Sequence, residues 1–555
     1  MKTLKNFVMF LVLLSGAAIL MAQTPEWQWA VAATGPEDCG HYGWYIATDS
    51  KGNQYVTGCF AATVNFGSHT LSSNGSWDIF VAKLDADGNW LWAVNAGGAG
   101  SDLGREIAID GAGNIYVTGY FNSTATFGDH TLTSSGYPDI FVAKLDVDGN
   151  WLWAAQAGGA DTDCGRSIAF DSEGNAYITG SFVNMASFGS HTLTSIETTG
   201  IFVAKLDAEG NWLWAVKATG LNTHSNGESF YIVLDDAGDA YLTGLIRGTV
   251  SFGDFILTES GNNDIFVAKL GADGNWLWAV KAGGVFSDRG DSIALDGAGN
   301  IYVTGHFMGA ATFGNYSLTV SGGGHSKDIF VAKLDADGNW LWVVQAGGSS
   351  DGAGFGMAMD NTGNPYVVGM FEDTASFGGH TLTSNGDWDI FVAKLDADGN
   401  WLWAVQAGGP ALDSGYSIAF DAAGNAYVTG AFGGTATFGD HTLTANGILN
   451  IFVAKLGSGT PVDDYLAPQV ASRLHDAWPN PFNKATGTMI KADIPAQSTG
   501  TLSIYNLRGQ RVARYELNSG SHQISFAGDN LPAGIYLYSL QCGDTRETKK
   551  LVLLR

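Results

Sequence analysis

Three recurring residue patterns in this chain could do chemistry. The first is DADGN at residues 85–89, where Asp85, Asp87 and Asn89 place oxygen atoms at alternate positions, as a calcium loop does. Its spacing does not fit an EF-hand, which needs Gly at the sixth place and a bidentate Glu at the twelfth; here Gly88 is fourth and Ala96 twelfth. A hairpin turn with Gly88 at positive φ accounts for the same letters. The second pattern is FGxHTLT, which carries His69, His130, His191, His380 and His441, with Phe255 and Tyr316 at the same place in two further copies. Interchange with aromatic residues indicates packing or a rim contact, not metal ligation. The third is an Asp shortly before Gly: Asp38, Asp102, Asp163, Asp288, Asp351 and Asp413, with Ser225, Asn226 and Glu228 standing in the one departing copy.

What these patterns can do depends on the elements that carry them. FVAKL begins at Phe80, Phe141, Phe202, Phe266, Phe330, Phe391 and Phe452, so successive copies lie 61 or 64 residues apart, the mark of a repeat architecture. Each unit reads WLWAV, an acidic loop, IAID, NIYVTG, TATFGDHTLT and DIFVAKL, short β-branched and aromatic runs punctuated by Gly and Asp. That predicts four main strands and one small extra hairpin per unit. WLWAV begins at Trp90, Trp151, Trp212, Trp276, Trp340 and Trp401, whereas a lone WQWAV starts at Trp27 and the last unit stops at Leu456. The early strand supplies what the late unit lacks. The expected fold is therefore all-β, a seven-bladed β-propeller over 27–456 closed by exchange of the N-terminal strand.

In that architecture only groups near the axis can converge. Six aspartates of the third pattern around one channel mouth would focus negative potential and could hold a cation, calcium included, or a polyhydroxyl ligand. Six independent turns satisfying local amides explain them equally. Lys83 and its six equivalents sit mid-strand in FVAKL and need carboxylate partners or a route to solvent, an ion pair being the favoured reading. For an enzyme, non-repeated polar residues should cluster at a pocket. The irregular stretches are in unit four, with His224, Glu228 and Arg247, and unit five, with His306 and His325. Motifs for zinc hydrolases and phosphate-binding loops do not occur, and the expectation is a non-enzymatic binding or envelope scaffold. A propeller enzyme acting on extracellular polysaccharide and a purely structural surface component are the alternatives. Clustered His, Glu and Arg would favour the enzyme, and seven-fold sameness the scaffold.

Composition narrows the partners. Of 555 residues 77 are Gly, and the formal charge is −27. Residues 27–456 hold 15 Lys and Arg against 45 Asp and Glu, while 475–555 hold 9 against 6. So acidic a surface repels nucleic acid and anionic membranes, leaving a glycan or a surface protein as ligand and no implied cofactor. Residues 1–22 read as a signal peptide, with Lys2 and Lys5 before an apolar run. No later run is long enough to span a bilayer. Cys39, Cys59, Cys164 and Cys542 share no repeated position and imply no disulfide framework or metal site.

After a linker at 457–474, residues 475–555 show alternating apolar residues and turn signals, expected to give a small Ig-like β-sandwich. Through GNIYVTG, TATFG and DIFVAKLDADGNW the first region resembles the bacterial SBBP β-propeller repeat proteins. Through PNPFN, IYNLRGQ, PAGIY and the terminus KKLVLLR the second closely resembles the C-terminal sorting domain of Bacteroidetes type IX secretion. The first resemblance implies an exported propeller and no particular activity. The second implies contact with the type IX machinery and delivery across the outer membrane to the cell surface or the medium.

Overall fold

The computed structural model describes residues 24–554 apart from 37–38, 324–325, 458–472, 475–476, 478–479, 485–486, 495–498, 519, 529–530 and 543–544. The proposed signal peptide, most of the linker, Asp38 and His325 thus lie outside the described residues. The chain divides into two units, 1–459 and 460–555.

In the first unit each repeat folds as four antiparallel strands. The first repeat supplies His41–Thr48, Gln54–Phe60, Asp78–Leu84 and Trp90–Gly98, called a, b, c and d from inside outward. Strands b and c are buried along their whole length because neighbouring sheets cover both faces. One apolar cluster, for example, joins Val81 and Ile79 of repeat one to Ile107, Val117 and Phe121 of repeat two. Strand d is only half-buried.

Among the described residues seven such four-stranded sets occur. The last has Asp413–Phe420, Ala426–Phe432 and Asn450–Leu456 as a, b and c, and takes Trp27–Ala33 as its fourth strand. Trp27 pairs with Leu456 and Ala33 with Ile451. Strand a of repeat one packs against strands a and b of repeat seven. Their shared core contains Ile46, Val56 and Phe60 from one side and Tyr427, Ile451 and Val453 from the other.

The extra hairpins do more than decorate a connection. Thr124–Phe127, first strand of the hairpin in repeat two, pairs with Gly97 and Gly98 at the end of strand d in repeat one. It extends the neighbour's sheet and stitches adjacent repeats at the rim. Gly98 is required there: a Cβ on it would lie 1.8 Å from the Thr124 carbonyl oxygen.

Five of the seven ladder lysines, Lys144, Lys205, Lys269, Lys333 and Lys394, pair with a carboxylate, whereas Lys83 donates to the Val147 carbonyl at 3.3 Å. Lys205 pairs with Asp171 at 2.8 Å, Lys394 with Asp360 at 2.8 Å and Lys269 with Asp239 at 2.9 Å, and each ammonium sits about 5 Å over a Tyr ring of strand b. DADGN is a turn: Asp85 Oδ1 accepts the amides of Asp87 (3.0 Å) and Asn89 (2.9 Å), and Gly88 has φ +85°.

The second unit is a pair of sheets around one core of Leu474, Phe482, Ile490, Leu502, Ile504, Tyr538, Leu540, Leu551 and Leu553. Thr488–Ile494 and Gly520–Phe526 belong to one sheet, and Arg511–Leu517, Gly500–Asn506, Gly534–Cys542 and Thr545–Leu553 to the other. PNPFN has a mechanical role here. Asn480 donates to the Lys550 carbonyl at 2.8 Å and accepts the Val552 amide at 2.9 Å, so the motif clasps the last strand.

Candidate functional site in the central channel

The site grows out of an irregularity in strand a. In every repeat one residue of that strand is left out of the pairing with strand b: register skips between Gly43 and Tyr45, and likewise in the other six. Such a bulge turns the extra side chain out of the sheet plane. The seven bulged residues are Trp44, Arg105, Arg166, Phe230, Asp291, Phe355 and Tyr416, and all seven line one cavity of about 450 Å³. They share no residue type across the ring, although the strands around them repeat.

Three of the four bulged aromatic residues, Trp44, Tyr416 and Phe355, gather on one arc, and Phe230 stands apart among the arginines. Trp44 lies parallel to Tyr42 (ring centroids 5.1 Å, 6° between planes) and 4.6 Å from Tyr416, which in turn meets Phe355 at 5.8 Å. These come from repeats one, seven and six, consecutive round the ring. Tyr45 and Tyr231, from repeats one and four, meet across the axis at 5.9 Å.

The cationic groups gather opposite. Arg105 sits 5.0 Å from the Trp44 ring and 5.4 Å from Tyr120, to whose hydroxyl it donates at 3.3 Å. Arg289 lies 3.9 Å from Phe230 and Arg166 5.6 Å from the same ring. Burial, followed by the nearby Arg105 charge, lowers the Arg166 pKa from its ordinary value. Arg289 bonds Asp291 at 2.6 Å, and His306 Nδ1 approaches that carboxylate at 3.3 Å. Glu228 faces Arg166 at 3.6 Å. Among the described residues Arg105 has no carboxylate partner.

Glu106 follows the bulge in repeat two and also lines the cavity. Its Oε2 accepts the Ile168 amide of repeat three at 2.8 Å, and burial pushes its carboxyl up to about 8. Burial thus favours its protonated form.

Of the six aspartates expected at the channel mouth, the five described ones do not line the cavity. Asp102, Asp163, Asp288 and Asp413 are fully buried and none lines the cavity. Asp102 accepts the Gly98 amide at 2.7 Å and the Asn122 amide at 2.9 Å; Asp163, Asp288 and Asp413 do the same for their own loops. One carboxylate thus serves two amides, one at the end of strand d and one at the end of strand b, and ties the two loops together. Asp351, half-buried, accepts the Lys327 amide and also misses the cavity. Of the irregular residues, Glu228 and His306 sit directly behind cavity groups, whereas His224 and Arg247 are exposed and away from it.

The channel residues were legible by another signal. Residues 27–456 contain four arginines, Arg105, Arg166, Arg247 and Arg289, and three of them line the cavity. Scarcity of a residue type in a repeat array singles out places where building requirements do not choose the side chain.

Comparison with known proteins agrees with this architecture. Residues 92–124, 152–181 and 402–431 match the Beta-propeller repeat, and 476–554 match the Secretion system C-terminal sorting domain. Among curated proteins the chain is similar to an uncharacterized WD repeat-containing protein of Acanthamoeba polyphaga mimivirus, 23% identical over 70% of this chain and 35% of the relative. It is also similar to the regulatory protein FlaEY of Caulobacter vibrioides, 25% identical over 65% of this chain and 39% of the relative. The chain thus spans little more than a third of the length of these relatives. Among solved structures it is similar to an ulvanlyase, a polysaccharide lyase, at a TM-score of 0.40 and 11% identity, covering 79% of this chain and 99% of that one. A sorting domain of the matched kind marks a chain for export by type IX secretion to the cell surface or beyond it. This chain is accordingly a β-propeller-repeat protein that ends in a secretion system C-terminal sorting domain.

Proposed function

We propose that this exported protein is a binding protein, with one ligand site in the central channel and the repeated blades as its scaffold. The observation that carries the reading is the ring of bulged residues: five residue types, Trp, Tyr, Phe, Arg and Asp, converge from one equivalent position of seven repeats whose strands b and c keep their sequence pattern. A structural component would have no use for that difference. The titratable groups there also support binding over turnover. Asp291 is held by Arg289 and His306, Glu228 by Arg166, and Glu106 by a backbone amide. No pair of free carboxylates is left to act as acid and base.

The test is a glycan array probed with the full chain, with and without calcium, beside the double variant Trp44→Ala/Arg105→Ala. The reading expects at least one glycan held by the parent and released by the variant. Binding that survives the double variant would place the ligand elsewhere and overturn it.

A second reading, a propeller enzyme on extracellular polysaccharide, is favoured by the clustering of non-repeated Glu228, His306 and three arginines at the cavity and by Glu106, a buried acid at its wall. It expects products from a bound glycan that disappear in Glu106→Gln. Absence of any cleavage of a glycan bound in the channel would reject it.

A further inference from the structure

The channel is the cationic place on an acidic domain. Residues 27–456 carry 45 acidic against 15 basic side chains, yet three guanidinium groups face one cavity of about 450 Å³. Asp291 offsets Arg289 and Glu228 stands beside Arg166, which leaves the Arg105 charge over. Its planar fork is held between the rings of Trp44 and Tyr120, with its orientation fixed before any ligand arrives. A guanidinium so placed is suited to a carboxylate or a sulfate, which can take two parallel N–H donors.

Beside this charge runs the aromatic arc of Trp44, Tyr416 and Phe355. A pyranose presents apolar C–H groups on its ring faces and hydroxyls at its edge, so flat aromatic surfaces can cover the face while polar groups bind the rim. A cavity of about 450 Å³ takes a ligand of a few sugar rings at most, not a folded protein.

From the arginine arc opposite the aromatic arc we infer that the channel takes an acidic saccharide, its carboxylate or sulfate on Arg105 and Arg166 and a sugar face on Trp44 and Tyr416. This rests on the reading of the channel as the ligand site. The acidic exterior would repel the same polymer, so binding is confined to a short segment or chain end admitted to the channel.

The experiment follows the tryptophan fluorescence of the full chain on titration with oligogalacturonate, with sulfated carrageenan oligosaccharides, with neutral galactan oligosaccharides, and with poly-glutamate. Either anionic sugar should bind, and which of the two does separates carboxylate from sulfate recognition. Affinity should fall at least tenfold in Arg105→Gln, partly recover in Arg105→Lys, and drop with added salt. Thermal denaturation of each variant verifies that the fold is intact. Equal binding of neutral and anionic sugars, lost in Trp44→Ala, overturns the acidic specificity and leaves the channel reading standing. Binding of poly-glutamate without either anionic sugar, or no binding of any probe, overturns the inference. Anionic sugars bound equally by the parent and by Trp44→Ala/Arg105→Gln overturn both.

Discussion

The Ile46 amide donates to the Ser417 hydroxyl oxygen at 3.4 Å, across 371 residues of sequence. The same bond joins Ile232 to Ser167 at 3.1 Å and Met357 to Ser292 at 3.2 Å, each between neighbouring repeats. The contact of the last repeat with the first is therefore of the kind that joins interior neighbours. Strand Trp27–Ala33 adds the rest of that junction. Deleting residues 27–33 should expose the edge of Asn450–Leu456 and lower Tm by about 10 °C or more, or render the protein insoluble. Moving WQWAVAA to follow Leu456 through a DADGN turn should hold Tm within about 5 °C of the parent. Thermal denaturation of both forms checks this, and equal Tm for the deletion and the parent would contradict the pairing.

Glu106 replaces the bridging serine in the junction from repeat two to repeat three, and its carboxyl is pushed up to about 8 by burial. An unfolded Glu loses its proton near 4.5. Between those values the folded chain keeps a proton that the unfolded chain has lost, so stability falls as pH rises through this window. The slope from one such group is at most about 1.4 kcal/mol per pH unit. Glu106→Gln keeps an acceptor for the Ile168 amide and should flatten the decline between pH 5 and 8. Denaturant melts across that range compare the two slopes; identical slopes would show that Glu106 is ionised.

Asp102 satisfies two buried amides and touches no part of the channel. Asp102→Ala should cost about 2–4 kcal/mol, from two orphaned donors, and leave ligand affinity in the refolded fraction unchanged. Asp102→Asn should cost less: its single carbonyl oxygen keeps one amide, and it carries neither a charge to bury, burial being what chiefly raises Asp102 to about 6, nor any repulsion with Asp78. A change in affinity without loss of stability would return Asp102 to the binding site.

Asn480 holds the last strand through Lys550 and Val552. Asn480→Ala should loosen that strand, and the amount of protein reaching the medium or the cell surface should fall several-fold. Removing 476–554 should abolish delivery while the propeller still folds. Fractionation with immunodetection checks both; undiminished delivery of the truncated chain would show that export does not depend on this domain.

Much of the fold was readable because its causes are local. Period-two apolar runs, DG turns and the 61- or 64-residue spacing come from contacts inside one blade, and each blade states them again. The displaced WQWAV at Trp27 needed only a comparison of copies. The role of the hairpins was not readable, since TATFG carries no sign that it pairs with the preceding repeat. The aspartates misled for a related reason. A loop carboxylate that binds a ligand and one that binds two amides have the same letter and the same spacing, and only burial separates them.

The sequence by itself determined the repeat, its strands, its missing and displaced copy, and the sorting domain with its clasping motif. Tertiary structure decided which side chains meet in the central cavity. Trp44, Arg105, Arg166, Phe230, Asp291, Phe355 and Tyr416 stand roughly sixty residues apart along the chain and share no motif. They meet because each is the bulged residue of an innermost strand, and seven strands around one axis turn seven unrelated positions into a single surface.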